Sequence, residues 1–268
     1  MESPFKAGIL KGKVALITGG ASGIGFEIST QFGKHGASVA LMGRRKQVLH
    51  SAVSVLQSLA IPAVGFEGDV RKQEDAERVV ESTFKHFGRI DILVNAAAGN
   101  FLVSAEDLSP NGFRTVLDID SVGTFTMCRE ALKYLKKGGE GRSNSCGGGS
   151  IINISATLHY TASWYQIHVS AAKAAVDATT RNLALEWGTD YDIRVNGIAP
   201  GPISDTPGMS KLAPDEIRKF INGDVVIVDG GLWLSRPRHL AKEAVKQVSR
   251  SVEKRSRNAP VGVPKSKL

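Results

Sequence analysis

The chain has 268 residues, of which 42% are hydrophobic, so it is long enough to bury one substantial core. Its net charge of +8 would suit a nucleic-acid-binding protein, but nine Lys and Arg residues against two Glu lie after position 237. The rest of the chain carries a net charge of +1. We therefore expect a basic, solvated C-terminal extension at 238–268 and no nucleic-acid partner.

Several other classes of protein are disfavoured by the sequence. No run approaches the roughly 18 consecutive apolar residues of a membrane-spanning helix, so no membrane span is expected. The first ten residues lack the basic start and long apolar stretch of a secretory signal. The two cysteines, Cys128 and Cys146, have no metal-ligand spacing, so we expect neither a metal site nor a disulfide framework.

Short apolar runs alternate with helical patterns along the chain, an order typical of βαβ units and a parallel sheet. The predicted strands lie at 14–18, 37–42, 63–66, 90–95, 150–155, 193–198 and 224–228. Helical spacing of apolar residues fills most gaps, for example at 74–87 and 170–188. This pattern predicts a single doubly wound α/β domain of Rossmann type at 1–237, with a parallel sheet of about seven strands.

A glycine-rich segment, TGGASGIG at 18–25, follows the first predicted strand and precedes a helix. Glycine permits a sharp turn and lets a phosphate approach the backbone where a Cβ would collide. The free N–H groups and the dipole at the start of the helix favour an anion. The alternative is a tight turn without a ligand. We predict a phosphate-binding turn with contacts from Gly19, Gly20, Ala21, Ser22, Gly23 and Ile24.

Three further motifs follow predicted strands. They are Asp69-Val70, Asn95-Ala96-Ala97-Ala98-Gly99 and Pro200-Gly201-Pro202-Ile203. Together with the glycine turn, they resemble the short-chain dehydrogenase/reductase family over residues 10 to 237. The resemblance implies a nicotinamide dinucleotide with Asp69 at the adenine. It also implies further cofactor contacts from Val70, Asn95, Pro200, Gly201 and Ile203.

The residues after the second strand favour NADPH over NADH. An NAD-specific site presents a carboxylate there to the ribose hydroxyls, whereas this chain has Gly43-Arg44-Arg45-Lys46. The guanidinium groups of Arg44 and Arg45 match a 2′-phosphate in charge and geometry. The alternative is an ordinary basic helix start on the surface.

The catalytic residues of the wider family, a serine and a Tyr-x-x-x-Lys motif, are only partly present. Lys173 stands at the lysine position, but Val169 replaces the tyrosine and Ala156 replaces the serine. The asparagine common in a preceding helix corresponds to Asp120. Such a chain either is not a catalyst or catalyses a reaction that does not protonate a carbonyl oxygen in the usual way.

Five stretches resemble a subgroup of that family, the peroxisomal 2,4-dienoyl-CoA reductases. They are NAAAGNF at 95–101, LDID at 117–120, ISATL at 154–158, KAAVDA at 173–178 and PGPIS at 200–204. This resemblance implies an acyl-CoA substrate and reduction of a 2,4-dienoyl thioester to a 3-enoyl-CoA. Asp120, through a water held with Lys173, would deliver a proton to carbon, and Lys173 would also hold the nicotinamide ribose. Substrate contacts would come from Arg71, Phe101, Ser109, Asn111 and Lys211.

The chain ends in Ser266-Lys267-Leu268, a tripeptide address for peroxisomal import. It predicts a peroxisomal location and an import receptor as partner, and the family resemblance implies a homo-oligomer.

Two further predictions concern single side chains. We expect Trp164 to lie in the core, as Trp187 should, and a lone histidine such as His168 is more often packed or solvated than functional.

One segment departs from the family pattern. The connection at 204–223 is shorter than the substrate-covering loop and following helix of the family, although a parallel crossover needs only about 10 to 12 residues. Two alternatives therefore stay open. One is a carbonyl reductase of the same family, which Val169 and Ala156 disfavour, and the other is a catalytically impaired dinucleotide-binding isoform.

Overall fold

The computed structural model describes residues 5–143, 145–160, 162–201, 203 and 206. All of them belong to the first of two compact units, Met1–Leu234. The predicted strand at 224–228, the extension at 238–268 and all but one residue of the segment 204–223 lie outside these residues. No helix in the described ranges is long and apolar enough to cross a membrane.

In the part of the chain that the structure describes, six parallel strands form one sheet in the order β3-β2-β1-β4-β5-β6. They are β1 Val14–Thr18, β2 Ser38–Gly43, β3 Ala63–Glu67, β4 Ile92–Asn95, β5 Ser150–Ile154 and β6 Arg194–Ile198. The chain starts in the middle, runs outward to β3 and returns across β1 to β4. The strand order thus reverses between β1 and β4, and the crevice beyond their carboxyl ends is where such sheets bind ligands. The predicted doubly wound α/β fold is confirmed.

Helices cover both faces of the sheet. They are α1 Gly23–Lys34, α2 Lys46–Ser58, α3 Gln73–Phe87, α4 Pro110–Leu117, α5 Gly123–Leu135 and α6 Ile167–Tyr191. A five-residue π-turn, Asp118–Val122, joins α4 to α5 without a break in the helical run. Helix α3 starts one residue before its predicted start, and α6 exceeds its predicted range by three residues at each end. The strands match their predictions to within two residues at each end.

The core lies on both sides of the sheet, which explains why its strands read as continuous apolar runs. In β1, Ala15 and Ile17 pack in the layer that contains α2, whereas Leu16 packs in the layer that contains α3 and α5. Trp187 lies in the second layer, as predicted. The prediction for Trp164 is wrong, because it lies in the loop before α6 and is 85% exposed.

A buried ion pair network closes the amino ends of β1 and β4. The carboxylate of Asp91, 3% exposed, accepts hydrogen bonds from Arg89 Nε at 2.8 Å and from the backbone N–H of Val14 at 3.0 Å. Arg142, whose side chain is also 3% exposed, donates to the same carboxylate at 3.2 Å. Burial opposes the charge of Asp91, but these donors outweigh it and lower its pKa.

Candidate active site

The predicted glycine turn joins β1 to α1 at the point where the strand order reverses. Gly19 has a φ of +64°, and a Cβ there would lie 2.8 Å from the carbonyl oxygen of Ala96. A Cβ on Gly25 would lie 2.5 Å from the carbonyl oxygen of Gly19. Only glycine therefore fits at either position. The first N–H groups of α1 have no partner within the helix, so the turn fits the pyrophosphate of a dinucleotide.

The other residues predicted to contact the phosphates lie within this turn. Gly20 is buried, and four residues are half-buried, namely Ala21, Ser22, Gly23 and Ile24. The side chain of Ser22, the N-cap of α1, makes no capping hydrogen bond within the described chain. The backbone of the turn is therefore the part that a phosphate would contact.

A basic surface lies at the carboxyl end of β2. Arg44 and Arg45 follow that strand and are both exposed. Arg71 Nε donates to both carboxylate oxygens of Asp69 at 3.0 Å. These hydrogen bonds lower the pKa of Asp69, and the charge of Arg44 adds to the effect. The structure thus brings Arg44 close to Asp69, while the guanidinium of Arg71 is engaged by Asp69.

Two residues predicted to contact the cofactor direct their side chains inward. Val70 is 6% exposed and belongs to the core layer of α3 and α5. Asn95 is 3% exposed, and its Nδ2 donates to Asn153 Oδ1 at 2.9 Å. Contacts from these residues to a cofactor would therefore come from the backbone. Nearby, Thr18 Oγ1 accepts hydrogen bonds from the backbone N–H groups of residues 96 and 97, both at 3.1 Å, and holds the loop after β4.

Asp120 and Lys173 form a buried ion pair beyond the carboxyl ends of β4 and β5. Asp120 Oδ2 lies 3.1 Å from Lys173 Nζ, and Asp120 Oδ1 accepts a hydrogen bond from Gly99 N–H at 2.7 Å. Lys173 Nζ also donates to the carbonyl oxygen of Ile154 at 2.9 Å. Asp120 is fully buried and Lys173 is 6% exposed. The structure thus brings together the two residues predicted to be catalytic.

The environment of Asp120 favours a carboxyl group that can hold a proton. Burial raises its pKa, although Lys173 and the N–H of Gly99 oppose this effect. A carboxyl with a raised pKa is suited to general acid catalysis near neutral pH. A proton on this residue would also reduce the cost of keeping the carboxyl in the interior.

Asp120 lies in the π-turn, which the sequence did not reveal. The wider backbone turn is uncommon and often marks a functional site. Thr124 Oγ1 donates to the carbonyl oxygen of Asp120 at 2.6 Å, and Ser121 Oγ donates to the carbonyl oxygen of Ala172 on α6 at 3.0 Å. The second of these bonds joins the π-turn to α6, the helix that carries Lys173.

The two substituted catalytic positions are seen beside this pair. Val169 is 3% exposed and packs in an apolar cluster with Val116 and Ala172. Ala156 is half-buried just after β5. Tyr165 is 56% exposed in the loop before α6, so it does not supply a buried hydroxyl in place of the missing tyrosine.

The loop after β4 is clamped to the start of α6. Asn100 Nδ2 donates to Gln166 Oε1 at 2.8 Å, and the ring of Phe101 stacks on His168 with 4.3 Å between centroids. His168 is fully buried, and neither of its ring nitrogens makes a well-formed hydrogen bond with the described residues. The sequence indicated that this histidine could be packed, but gave no sign of its unpaired nitrogens.

An open apolar groove of about 590 Å³ lies beside this clamp. It is lined by Ala105, Leu108, Pro110, Phe113, Arg114, Leu117 and Ile167. Two residues predicted to contact the substrate lie at its edge, at the start of α4. Ser109 caps the helix through a hydrogen bond from Gly112 N–H at 3.1 Å, and Asn111 is exposed. A third, Phe101, is 39% exposed, whereas Lys211 lies outside the described residues.

The loop after β6 approaches the end of β5. The carbonyl oxygen of Pro200 accepts a hydrogen bond from Thr157 N–H at 3.1 Å, and Ile203 is 44% exposed. Gly201, between them, is half-buried. The predicted cofactor contacts Pro200, Gly201 and Ile203 therefore lie on the same edge of the sheet as Lys173.

Comparisons with known proteins agree with this geometry. The family described as short chain dehydrogenase matches residues 13–217. A peroxisomal 2,4-dienoyl-CoA reductase of Arabidopsis thaliana is 72% identical over 298 aligned residues, with 100% of each chain covered. A protein of the same name from Mus musculus is 38% identical over 265 aligned residues, which cover 87% of this chain and 88% of its own. A solved short chain dehydrogenase from Bacillus anthracis, 44% identical, superposes with a TM-score of 0.68 over 75% of this chain and 78% of its own. The chain therefore belongs to the short-chain dehydrogenase/reductase family.

Proposed function

We propose that this protein reduces 2,4-dienoyl-CoA thioesters to 3-enoyl-CoA with NADPH, in the oxidation of unsaturated fatty acids. The observation that carries the proposal is the buried pair of Asp120 and Lys173, with Val169 and Ala156 at the positions of the usual catalytic hydroxyls. The site thus contains an acid group, although it lacks the tyrosine that donates a proton in the wider family. Two relatives that bear the name of this activity support the same conclusion.

The cofactor would be held at three places along the carboxyl edge of the sheet. The turn from Gly19 to Ile24 would bind the pyrophosphate, Arg44 and Arg45 the 2′-phosphate, and Lys173 the nicotinamide ribose. When bound, the nicotinamide supplies the hydride that adds to C5 of the dienoyl group. A preference for NADPH follows from the two exposed arginines after β2.

The protein's own residues then stabilise the negative charge on the substrate and deliver a proton to it. Hydride addition at C5 moves negative charge toward the thioester oxygen and leaves a dienolate. The ammonium group of Lys173 stabilises that charge in a water-poor site. Asp120 releases its proton through a water to C2 of the substrate, which gives the 3-enoyl product, and then regains a proton from solvent. Protonation at carbon explains why this reaction would proceed without the tyrosine.

The substrate would lie across the start of α4. The apolar groove is suited to the acyl chain because apolar side chains line most of it. The CoA phosphates would be met by Arg71 and Lys211, with Arg44 shared, and the rest of the CoA by Ser109 and Asn111. Phe101 would form the wall between the groove and the buried ion pair.

The location, assembly and division of the chain are also part of the proposal. We infer that Ser266-Lys267-Leu268 directs the protein to peroxisomes through an import receptor, and that the protein is a homo-oligomer. The relatives from Arabidopsis thaliana and Mus musculus are both named as peroxisomal. The catalytic domain would span 1–237, and 238–268 would be a basic extension that presents the signal.

A second candidate is a catalytically impaired isoform that still binds the dinucleotide. The alignment with the Arabidopsis thaliana relative spans 298 positions, 30 more than this chain has residues. The shortened connection at 204–223 fits this difference, and it would reduce the cover over the substrate.

The decisive test is NADPH oxidation with a 2,4-dienoyl-CoA beside a simple ketone. Turnover of the dienoyl-CoA alone supports the proposal, and turnover of the ketone alone indicates a carbonyl reductase. If NADPH binds but neither substrate is reduced, the impaired isoform is indicated.

The cofactor preference is tested by measuring the binding of NADPH and NADH. A variant with Arg44→Ala and Arg45→Ala should lose the preference for NADPH, whereas the neighbouring Lys46→Ala serves as a matched control.

Import is tested separately with a fluorescent protein fused before the chain, so that the carboxyl end stays free. The full fusion should enter peroxisomes, and deletion of the last three residues should leave it in the cytosol. An unchanged distribution after the deletion would place the address elsewhere.

A further inference from the structure

His168 is a buried polar group that the mechanism above does not use. Its side chain is fully enclosed, and within the described chain neither ring nitrogen makes a well-formed hydrogen bond. Leaving such a group without a partner costs about 1–3 kcal/mol, and an unpaired buried polar atom in a native fold calls for an explanation. A bound molecule that supplies the missing partner is one such explanation.

The surroundings of the ring place it in the substrate region. One face stacks on Phe101, and the imidazole interacts electrostatically with Asp120 in the π-turn. Lys173, on the same helix as His168, pairs with Asp120. The segment 96–103, which supplies Phe101, contains no ionisable side chain. The histidine thus borders the ion pair on one side and an apolar loop on the other.

The substrate's thioester oxygen needs a hydrogen-bond donor that this chain does not provide at the usual positions. Val169 and Ala156 have no hydroxyl, and Lys173, whose charge favours the dienolate, already donates to the carbonyl oxygen of Ile154 and pairs with Asp120. Burial lowers the pKa of His168, although a backbone interaction with Phe101 and the charge of Asp120 oppose this effect, so a neutral ring with one N–H is favoured. A neutral imidazole can donate to a developing oxyanion without adding a second buried cation.

We propose that His168 donates a hydrogen bond to the thioester carbonyl oxygen of the bound acyl-CoA. This inference rests on the proposed function for the class of substrate. The interaction strengthens as negative charge moves onto that oxygen, so it lowers the barrier to hydride addition. No bond is made or broken at the histidine, and its proton stays on the ring throughout.

Phe101 covers the ring and sets the route by which the thioester reaches it. The Phe101 side chain is 39% exposed, while His168 beneath it is fully enclosed. For the substrate carbonyl to reach the imidazole, the phenyl ring would therefore have to move aside toward solvent.

The experiment measures binding to protein loaded with NADP⁺, which cannot reduce the substrate. The probes are 2,4-hexadienoyl-CoA and its thioether analogue, which lacks the carbonyl oxygen. The unmodified protein should bind the thioester at least about tenfold more tightly, the scale of one hydrogen bond. His168→Phe keeps a ring to stack on Phe101 but loses the donor, so this ratio should fall toward one. His168→Gln keeps a donor and should retain part of the ratio.

Turnover with NADPH gives the second measurement. The kcat of His168→Phe should fall by about 10²-fold, the lower end of the usual loss for one oxyanion donor, while NADPH affinity is unchanged. Unfolding and NADPH binding confirm that each variant is folded. A His168→Phe protein that keeps both the binding ratio and kcat would overturn the assignment.

The two proposals fail in different ways. If the unmodified protein binds the thioester selectively through His168 but does not reduce it, the proposed activity is wrong and the histidine assignment stands. If it reduces the dienoyl-CoA and the ratio is unaffected in His168→Phe, the activity stands and the assignment is wrong. Absence of any thioester binding by the unmodified protein overturns both.

Discussion

Two buried aspartates at opposite ends of the sheet show how the same side chain can serve structure or chemistry. Asp91 lies at the amino ends of β1 and β4, and Asp120 lies beyond the carboxyl end of β4. Both are at most 3% exposed, and both contact a buried cation, Arg142 or Lys173. The difference lies in how completely each carboxylate is paired.

The donors around Asp91 more than offset the cost of burying its charge. Two arginines, the Val14 amide and the half-exposed Lys13 face its two oxygens, so its pKa is lowered and the group stays charged. Among the described residues, one ammonium and one amide contact the carboxylate of Asp120, and burial prevails to raise its pKa. The fully paired carboxylate stabilises the fold, whereas the raised pKa of Asp120 is consistent with the proton-donating role that we propose for it.

The largest effect is expected from Asp91→Ala. Removing one partner of a buried ion pair leaves an uncompensated charge, here Arg142, and costs about 3–5 kcal/mol. We expect the free energy of unfolding, measured in urea, to fall by that amount. The control is Glu81→Ala, which removes an exposed pair with Lys85 and should cause no measurable change. A loss as small as that of the control would mean that Arg142 is held by its backbone acceptors alone.

For Asp120, which we propose as the proton donor, we expect a loss of activity. Asp120→Asn keeps the size of the side chain but removes the acid, so turnover of dienoyl-CoA should fall by about 10²-fold or more. Affinity for NADPH should barely change, because the proposed phosphate contacts lie elsewhere. Asp118→Asn in the same π-turn removes a charge without removing the contact with Lys173, and it should stay active.

An Asp120→Asn protein that folds, binds NADPH and works at the unmodified rate would show that Asp120 is structural. The proton would then have to come from a water held by Lys173 alone. A loss of NADPH affinity equal to the loss of turnover would instead indicate that the variant disturbs the whole pocket.

Thr18→Val should produce a smaller, mainly structural effect at the cofactor end. Its hydroxyl accepts from two backbone N–H groups of the loop after β4, which valine would leave unpaired. The free energy of unfolding should fall by about 1–3 kcal/mol, with weaker NADPH binding because the loop meets Gly19. Thr126→Val, at a site whose hydroxyl bonds only its own helix, is the matched control. If the two variants bind NADPH with equal affinity, the loop after β4 does not influence the cofactor site.

The sequence predicted those features that depend on local patterns. The apolar run of β1 and the glycine spacing after it specify a buried strand and a tight turn, because few other residues fit there. The positions of Asp120 and Lys173 came from the family resemblance, and the fold brings them within 3.1 Å. Their proximity depends on α6 packing against the π-turn, which is a tertiary contact between residues 53 positions apart.

Other features could not be predicted because they depend on contacts distant in sequence or on backbone details. Nothing in the sequence around Asp120 distinguishes a π-turn from an ordinary helical turn. Arg71 and Asp69 are hydrogen-bonded to each other. This pairing competes with the contacts expected from the sequence, which are Asp69 with the adenine and Arg71 with the substrate. Trp164 looked apolar enough for the core, but the backbone at that point has left the core for a surface loop.

The smallest expected effects concern how stability depends on pH, and here the two aspartates should differ in sign. The folded pKa of Asp91 is below its ordinary value of 3.8, so its contribution to stability is present above that value and lost as pH falls through the folded pKa. The folded pKa of Asp120 is above 3.8, so its contribution is full below that value and lost as pH rises through the folded pKa. Each pKa unit corresponds to about 1.4 kcal/mol.

Urea unfolding across this pH range separates the two contributions. Asp91→Asn should flatten the acid-induced loss of stability below about pH 4, because the unfolded chain no longer gains a proton there that the folded state resists. Asp120→Asn should flatten the decline above about pH 4, because the folded state no longer holds an extra proton. The unmodified protein supplies the reference curve for both. If both variants flattened the same acid limb, Asp120 would be a charged structural carboxylate like Asp91, and it would have no proton to deliver at neutral pH.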